Sequence, residues 1–290
     1  MVGFPPGGPT DGMARVLADP LREWLRSPVV VENRTGASGR IAVSAAARAP
    51  VAGRTLLLSP GATLTIQPHL YPDLPGDPVK LLVPIALLGV TDLSVVVAAD
   101  HPAEDIQGLM RWFRQNPALA TCGTAGVGTV AHLAMVELGS RTGTDVRPVH
   151  YRGALEEMAA LVEGSLKAAA VIPWMALPFK QAGKVRVLAT TGTSRSPLLA
   201  DVPTMRECGI DLVAREWAGL FAPAGTPPEA IARFGDAARS ALVTPSVRAS
   251  FAKYGLETGT AVLGEFAALV TADYDRWGQT VRRGGIKAES

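Results

Sequence analysis

The sequence lacks any long, uninterrupted run of apolar residues. A membrane-spanning helix needs about 20 such residues, and the most apolar stretches of this chain are broken by Pro84, Asp92 and Asp100. We therefore expect a globular protein with no membrane span. With 290 residues and 48% hydrophobic content, the chain is long enough for one large domain or two ordinary ones with packed cores.

Aromatic residues and net charge are also scarce. Aromatics make up 6% of the chain, the formal net charge is +2, and the cations form no basic run. Surfaces that bind nucleic acids need clustered cations or stacking rings. We therefore expect no nucleic-acid partner.

Cysteine and histidine are too few, and too scattered, to indicate a metal or catalytic centre. Cys122 and Cys208 cannot build a disulfide framework and do not stand in metal-ligand spacing, so they leave the redox compartment open. His69 and His101 have no nucleophile or carboxylate nearby in the sequence. Neither a catalytic triad nor a Walker loop appears, so we expect no metal and no catalytic residues.

Helical and extended patterns alternate through most of the chain. Apolar residues recur at helical spacing over residues 13–24, and the three valines at 29–31 predict a buried strand. Further helices are predicted at residues 41–49, 104–116, 130–142, 154–164 and 174–183, and further strands at 55–59, 119–122, 146–151, 166–172 and 185–191. Three helical segments then follow at 227–242, 245–255 and 263–283. The pattern is typical of an α/β fold with largely parallel sheets and a helical C-terminal segment.

The chain opens with a rigid loop, MVGFPPGGPTD, that leads into the first helix. Met1 stands almost directly on this loop, so we expect a leader and the residues of a leading strand to be missing from this chain. Gly8 allows close backbone approach, Pro9 suits a first helical turn, and Thr10 or Asp11 can cap it. Taken alone, the loop is either a well-capped turn or a wall that binds an anion through backbone amides.

A second junction, CGTAGVGTVAHLA at residues 122–134, runs from a strand into a helix. Its glycines and the hydroxyls of Thr124 and Thr129 suit a carboxylate cradled by backbone amides. It also contains Gly126-x-Gly128-x-x-Ala131, a loose dinucleotide pattern. The next strand does not end in the acidic residue that this pattern expects. An NADP-dependent enzyme is therefore kept as the poorer alternative.

A third junction, HYRGA at residues 150–154, is again a strand end that runs into a helix. Arg152 can pair with a carboxylate, or with the phosphate of NADP in the enzyme alternative, while the Gly153 and Ala154 amides supply neutral donors. The competing interpretation is a solvated arginine on a loop. His132, in the preceding helix, suits a buried hydrogen-bonded residue better than a general base.

Eight segments, in order, carry a resemblance that covers Val2 to Ile286. They are GFPPGGPTDGMARVLADPL, VVVENRTGASGRIAVSAAARA, TLLLSPGATLTIQPHLY, GTAGVGTVAHLAMVEL, HYRGALEEMAALVEG, QAGKVRVLATTGTSRSPLLADVPTMRECG, EWAGLFAPAGTPPEAI and the terminal GIKAES. Together they resemble the substrate-binding receptors of tripartite tricarboxylate transporters, also called Bug proteins.

The resemblance implies a type II periplasmic-binding-protein fold. In that fold two α/β lobes are joined by two crossing strands that act as a hinge, with the ligand cleft between the lobes. Carried onto this sequence, the first lobe comprises residues 1–100 and 220–290, and the second comprises residues 101–219.

The resemblance also implies which residues contact the ligand. On the first lobe these are Phe4, Gly8, Thr10, Asp11 and Thr63. On the second lobe they are Thr124, Ala125, Gly128, Thr129, His132, Tyr151, Arg152 and Gly153.

The function implied is that of a periplasmic receptor that works as a monomer without a cofactor. It would capture a small carboxylate, which is an organic acid, an amino acid or an aromatic acid, by lobe closure and deliver it to membrane permease subunits. A sensory protein that presents the ligand to a signalling receptor is the alternative. Pro173 and Trp174 stand where the family has a polar run, which indicates a more apolar wall and a bulky or aromatic carboxylate.

Overall fold

The computed structural model describes residues 1–71 and 76–287 and divides into two compact units. The first unit comprises Met1–Val90 and Trp217–Gln279, and the second comprises Thr91–Glu216 and the residues from Thr280 onward. These limits differ from the expected lobes in three segments. Residues 91–100 and those from 280 onward were expected in the first lobe and belong to the second unit, whereas residues 217–219 were expected in the second lobe and belong to the first unit. Residues 288–290 of the terminal GIKAES segment lie outside the described ranges.

Helices and strands alternate along the described chain. The helices are α1 (Pro9–Leu25), α2 (Arg40–Ala47), α3 (Gly61–Thr65), α4 (Gln67–Leu70), α5 (Pro78–Leu81), α6 (Ile106–Gln115), α7 (Val130–Thr142), α8 (Ala154–Val162), α9 (Pro173–Gln181), α10 (Pro228–Leu242), α11 (Pro245–Lys253) and α12 (Gly264–Gly284). The strands are β1 (Leu57–Pro60), β2 (Leu82–Asp92), β3 (Ser94–Ala98), β4 (Thr121–Thr124), β5 (Arg147–His150), β6 (Ala168–Val171), β7 (Val185–Thr190), β8 (Arg215–Pro223) and β9 (Glu257–Thr258). No helix in the described ranges combines the length and the apolar character that a membrane crossing requires.

The strands form two sheets. The first has the order β1-β8-β2-β9, with β1 antiparallel to β8 and β2 antiparallel to β9. The second has the order β5-β4-β6-β3-β7, in which β4 runs parallel to β5 and β6, and β3 runs antiparallel to β6 and β7. The prediction of largely parallel sheets therefore holds for β5, β4 and β6 and is wrong for the antiparallel pairs.

The core of the first unit packs against one face of α1. Met13, Leu17, Leu21 and Leu25 are buried and recur every four residues, which places them on the same side of the helix. They pack in one cluster with Phe234 of α10. Burying a side chain of this size contributes about 1.5–3 kcal/mol, so this face fixes α1 and the loop that precedes it.

The core of the second unit lies between its sheet and helices α8 and α9. Val96 of β3 and Val171 of β6 share one buried cluster with Met158 and Leu161 of α8 and Met175 of α9. These two helices therefore cover the face of the sheet that carries Val96 and Val171.

Residues 29–31 do not form the predicted strand. Val30 is 82% exposed, and its flanking valines are only partly buried. The N-terminal segment pairs with this stretch just beyond the valines, where Val2 N–H donates to the Glu32 carbonyl (2.8 Å) and Arg34 N–H donates to the Val2 carbonyl (2.8 Å). The valines have no such ladder in the described chain, and they line a groove beside α1 instead. The prediction is wrong because an apolar run becomes a strand only where a neighbour pairs with it.

Candidate functional site

The loop before α1 is held in shape by the Asp11 carboxylate. Arg15 donates its Nε to Asp11 Oδ2 (2.8 Å), and Gly7 N–H donates to the same oxygen (2.9 Å). Asn33 Nδ2 donates to Asp11 Oδ1 (2.9 Å) and to the Phe4 carbonyl (3.0 Å). The bonds from Arg15, then Gly7 and Asn33, hold the pKa of Asp11 well below its usual range. The buried carboxylate of Asp11 therefore holds the loop in shape. The group that Asp11 can offer to a ligand is its backbone amide.

The first turn of α1 offers backbone amides to an anion. The first intrahelical bond runs from Gly12 N–H to the Gly8 carbonyl (2.9 Å), so the Thr10 and Asp11 amides have no intrahelical acceptor. The helix dipole adds partial positive charge at this end. Among the described residues, a Cβ on Gly8 would meet only the Pro5 carbonyl oxygen, at 3.3 Å. A side chain at Gly8 would therefore press on the Pro5 carbonyl of the same loop and on no other described residue of the unit.

A turn that the sequence analysis did not assign to the site lies beside Phe4 and Thr63. Ala37, Ser38 and Gly39 all have positive φ, at 47°, 52° and 91°. A Cβ on Gly39 would lie 3.1 Å from Phe4 Cε2 and 3.3 Å from Thr63 Cγ2, and the Ser38 carbonyl accepts from Thr63 Oγ1 (3.2 Å). Positive φ is uncommon for alanine and serine, and such residues concentrate at functional sites. The turn therefore joins the two predicted contacts Phe4 and Thr63.

The sequence did contain a signal for this turn. TGASGR stands directly before the apolar spacing of α2, and a glycine-bounded turn that leads into a helix is the same pattern that marked the loop before α1. What the pattern did not reveal is the pairing with Thr63, which is 25 residues away from Ser38.

In the second unit, Thr129 caps α7 and closes the loop that precedes it. Thr129 Oγ1 accepts from His132 N–H (3.1 Å) and donates to the Gly126 carbonyl (3.0 Å). Gly128 N–H donates to His132 Nδ1 (3.2 Å). Gly126 and Gly128 have φ of 134° and 71°, values that favour glycine. Ala125, at the start of this loop, is exposed.

His132 is a buried, neutral histidine in this loop. Its Nδ1 accepts a hydrogen from Gly128 and so carries no proton, which leaves the proton on Nε2. Burial, and secondarily the His150 ring, lowers the pKa of His132 to about 4. The two rings meet edge-on with centroids 4.4 Å apart, and His150 Nδ1 lies 2.8 Å from Thr124 Oγ1. The structure therefore links Thr124, Gly128 and His132 through two hydrogen bonds and the edge-on contact of the two rings.

Tyr151, Arg152 and Gly153 form the turn between β5 and α8. Tyr151 N–H donates to the Thr124 carbonyl (2.9 Å), which ties this turn to the end of β4. Arg152 is exposed, and its backbone N–H donates to Glu156 Oε2 (3.1 Å). Gly153 precedes α8 in an extended conformation, and no described residue lies within 4 Å of where its Cβ would stand. As at α1, a glycine directly precedes a helix N-terminus, and here its surroundings are open.

Sequence reasoning missed a buried carboxyl next to this turn. Glu157 of α8 is fully buried; its Oε1 accepts from Ala170 N–H (3.0 Å), and its Oε2 has no hydrogen-bond partner in the described structure. Burial raises the pKa of Glu157 to about 8, and the neighbouring Glu216 adds to this. Burial also raises the pKa of Glu216 to about 7. The sequence did contain a signal for this burial. Glu157 directly precedes Met158, an apolar residue on the buried side of the helix, whereas Glu156 lies one residue further away.

Pro173 and Trp174 begin α9. Pro173 is buried, and Trp174 is partly buried and packs against the core cluster of the second unit. The prediction that they make a ligand wall more apolar stays a prediction.

Two grooves on the first unit are formed by other residues. One of about 760 Å³ is lined mainly by residues between 32 and 55, including Arg34, Arg40 and Arg48, and one of about 740 Å³ lies along α1, residues 27–32 and α10. Neither lining includes a predicted ligand contact. Within the described ranges, no group of three His, Cys, Asp or Glu residues is arranged to hold a metal ion. Each unit therefore carries its own candidate donor loops, at the start of α1 in the first unit and at the starts of α7 and α8 in the second.

A comparison with protein families gives one match that covers nearly the whole chain. The family described as "Tripartite tricarboxylate transporter family receptor" matches residues 13–286. The match begins within α1 and ends just beyond α12, so it includes both units.

Solved structures of similar proteins have the same fold. The periplasmic binding protein BugD is 28% identical, with a TM-score of 0.82 over 99% of this chain and 97% of BugD. MatC (Rpa3494) from Rhodopseudomonas palustris, solved with bound malate, is 29% identical, with a TM-score of 0.81 over 97% of each chain. R. palustris Rpa4515, solved with adipate, is 27% identical, with a TM-score of 0.86 over 99% of this chain and 96% of Rpa4515. The two-lobed α/β fold expected from the sequence is confirmed.

Proposed function

We propose that this chain, which belongs to the tripartite tricarboxylate transporter receptor family (TctC or Bug family), is a solute-binding receptor for a small carboxylate-bearing molecule. The family and the fold are those of solute-binding receptors. The observation that carries the proposal is that each unit presents backbone amides at a helix N-terminus that directly follows a glycine, Gly8 before α1 and Gly153 before α8. The malate held by MatC and the adipate held by Rpa4515 are both carboxylates.

On the first unit, the ligand carboxylate would bind to the amides of Thr10 and Asp11. These donors have no intrahelical acceptor, and the Asp11 side chain fixes the loop that exposes them. Phe4 and Thr63 would form the adjacent surface, because the Ser38–Gly39 turn holds them together. Fixed amides and a helix N-terminus can replace the hydration of an anion.

On the second unit, the donors would come from the starts of α7 and α8. Thr129 and Gly128 would define the first loop and Gly153 the second, while the exposed Arg152 supplies a positive charge. Such contacts bind and release an anion without a nucleophile, a metal or a cofactor. We therefore propose a binding protein and not an enzyme.

We further propose that the ligand is captured by closure of the two units. Strands β2 and β8 carry the chain from one unit to the other, at Val90–Thr91 and at Glu216–Trp217, and would serve as the hinge. A ligand that contacts both units favours the closed state by its additional contacts there. Small-angle scattering with saturating ligand should give a smaller radius of gyration than the free protein. An unchanged radius with bound ligand would rule out closure.

The closed receptor would deliver its ligand to the membrane subunits of a tripartite transporter. The name of the matching family describes a receptor of such a transporter, and the similar BugD is a periplasmic binding protein. We therefore propose that this chain acts in the periplasm, and we further propose that it does so as a monomer.

A thermal-shift screen tests the proposed function. The panel contains mono-, di- and tricarboxylates, including malate and adipate, together with amino acids and aromatic acids. A ligand present at 100 times its Kd stabilises the folded state by about 2.7 kcal/mol, which a melting curve detects. At least one carboxylate should raise Tm, and matched neutral alcohols or amides should not. A panel in which no acid raises Tm would overturn the proposal.

A further inference from the structure

Asn33 lies beside the loop that precedes α1 and is not among the predicted ligand contacts. Its backbone is fixed against Val2, whose N–H donates to the Glu32 carbonyl (2.8 Å) and whose carbonyl accepts from Arg34 N–H (2.8 Å). Val2 and Asn33 are the paired residues of this parallel bridge. Main-chain hydrogen bonds therefore set the position of Asn33, and its side chain is partly buried.

The side-chain amide of Asn33 joins the two ends of the loop. Its Nδ2 donates to the Phe4 carbonyl (3.0 Å), where the loop begins, and to Asp11 Oδ1 (2.9 Å), where the loop has passed into α1. An amide nitrogen carries two hydrogens, so both are used. One side chain thus spans the loop from Phe4 to Asp11.

The two acceptors determine which kind of side chain fits at this position. The Phe4 carbonyl has no hydrogen to donate. Asp11 is a carboxylate, because the hydrogen bonds that it accepts, first the one from Arg15, hold its pKa well below its usual range. Only the NH2 end of the Asn33 amide can face two acceptors, which fixes its orientation. A carboxylate in place of the amide would bring three acceptors together with no hydrogen between them.

The bend inside the loop is not held by packing. Gly7 has a φ of 82°, and no described residue lies within 4 Å of where its Cβ would stand. Gly8 follows directly, so two neighbouring residues have the conformational freedom of glycine. Gly8 N–H makes a long bond to the Pro5 carbonyl (3.3 Å), whereas Asp11 accepts from Gly7 N–H at 2.9 Å. The shape of the loop therefore depends on Asp11 and on the Asn33 amide that holds it.

Phe4 is fixed at a second point by the same segment of the chain. A Cβ on Gly39 would lie 3.1 Å from Phe4 Cε2, so Gly39 lies directly against the ring. Residues 33–39 therefore contact Phe4 twice, at its carbonyl through Asn33 and at its ring through Gly39.

We propose that Asn33 is a positioning residue of the carboxylate site, which holds the loop from Phe4 to Asp11 in the shape that presents the Thr10 and Asp11 amides to the ligand. Asn33 acts through the loop. A loop that is already ordered in its bound shape loses less conformational entropy when the ligand binds. This inference rests on the proposed function, because it adds a residue to the same site.

Calorimetry on the full chain at pH 7 tests this role, with malate, adipate, L-glutamate and phenylacetate as probes. For each probe that binds wild type, Asn33→Asp should weaken binding about 10-fold or more, because a third acceptor beside Asp11 and the Phe4 carbonyl opens the loop. Asn33→Ala removes both donors without adding charge, and it should weaken binding about 5-fold. The alanine variant carries the test if Asn33→Asp does not fold.

An exchange of the two side chains separates positioning from a general loss of stability. In the double variant Asn33→Asp/Asp11→Asn, the amide at position 11 can donate to the carboxylate at position 33, and its oxygen can still accept from Gly7 N–H. The double variant should therefore bind about 3-fold or more tightly than Asn33→Asp alone. It should stay below wild-type affinity, because the Phe4 carbonyl has no donor.

Asn116→Asp is the matched control. Asn116 is a partly buried asparagine of the second unit whose Nδ2 also donates to a main-chain carbonyl, that of Trp112 (3.0 Å). Its replacement should leave the affinity at the wild-type value. Circular dichroism and Tm establish that each variant is folded at the temperature of the titration.

The outcomes separate this inference from the proposed function. If the Asn33 variants bind a probe as tightly as wild type does, even with a lower Tm, the receptor function stands and the positioning role is wrong. If the double variant binds no more tightly than Asn33→Asp, the side chains at 11 and 33 do not act as a pair, which also overturns the assignment. If neither these probes nor any other acid of the panel binds wild type, both proposals are overturned.

Discussion

Glu157 is a buried carboxyl whose ionisation is disfavoured by folding. Its pKa of about 8 in the folded state lies above the unfolded value of 4.5. Its contribution to stability is therefore complete below pH 4.5 and is lost as the pH rises toward 8.

Replacing Glu157 by glutamine should remove this pH dependence. Glutamine keeps an oxygen that accepts from Ala170 but has no proton to lose. Relative to wild type, Glu157→Gln should gain about 3 kcal/mol of unfolding free energy at pH 7 compared with pH 4.5. Urea denaturation at the two pH values measures this gain. Parallel pH profiles for the two proteins would show that Glu157 does not titrate in this way.

His132 should give the opposite pH dependence. Its pKa is about 4 in the folded state and 6.5 in the unfolded chain, so its contribution is complete above pH 6.5 and is lost as the pH falls to 4. His132→Asn keeps an acceptor for Gly128 N–H and cannot be protonated. Between pH 7 and pH 4, the variant should lose up to about 3 kcal/mol less stability than wild type. A loss as large as that of wild type would contradict the neutral, buried histidine.

At the scale of elements, the loop before α1 depends on the side chain beneath it. Asp11→Ala removes the acceptor for Gly7, Arg15 and Asn33, and the loop should lose the shape that exposes its amides. Carboxylate affinity should fall at least 10-fold by calorimetry. Arg15→Ala, which removes one half-exposed partner, should cost much less. Equal effects of the two variants would show that the ion pair, and not the loop geometry, matters.

A second element-scale contact fixes α3, which carries Thr63. The Trp217 ring of β8 lies directly against Gly61 of α3, where a Cβ would overlap it, and Trp217 Nε1 donates to Asp273 Oδ2 of α12 (2.6 Å). Gly61→Ala should force these elements apart and cost about 1–3 kcal/mol of stability. Gly12→Ala, where no described residue lies within 4 Å of the new Cβ, should be neutral or stabilising. Urea denaturation compares the two, and a neutral Gly61→Ala would contradict this packing.

Local signals predicted elements well where the chain carries its own start and stop. Residues 130–142 were predicted as a helix and form α7, because Thr129 caps its start and Gly143 ends it with positive φ. The valines at 29–31 failed, because strand formation depends on a partner that their own sequence cannot specify. The glycine loops before helices, which carry most of the predicted contacts, could be found from the sequence. The turn at residues 37–39 could not be placed beside Thr63, because the hydrogen bond from Thr63 to the Ser38 carbonyl spans 25 residues.

For the whole molecule, the resemblance of ordered segments predicted the fold, and the family match and the similar structures confirm it. The ligand contacts implied by that resemblance stay predictions. The structure divides them between two units, with Gly8 and Gly153 each directly before a helix N-terminus. We propose that a single carboxylate ligand needs hydrogen-bond donors from both units.

Titration calorimetry of matched glycine variants tests that claim most directly. The titrant is the carboxylate that raises Tm most in the panel, and the proteins are wild type, Gly8→Leu, Gly153→Leu and Gly264→Leu. Gly264, at the start of α12, has no described residue within 4 Å of where its Cβ would stand, as Gly153 has none, and it lies outside the predicted site, so it serves as the control. Wild type and Gly264→Leu should bind one molecule per chain, and both other variants should lose at least 10-fold in affinity while staying folded by circular dichroism. Wild-type affinity in Gly8→Leu or in Gly153→Leu would contradict the account.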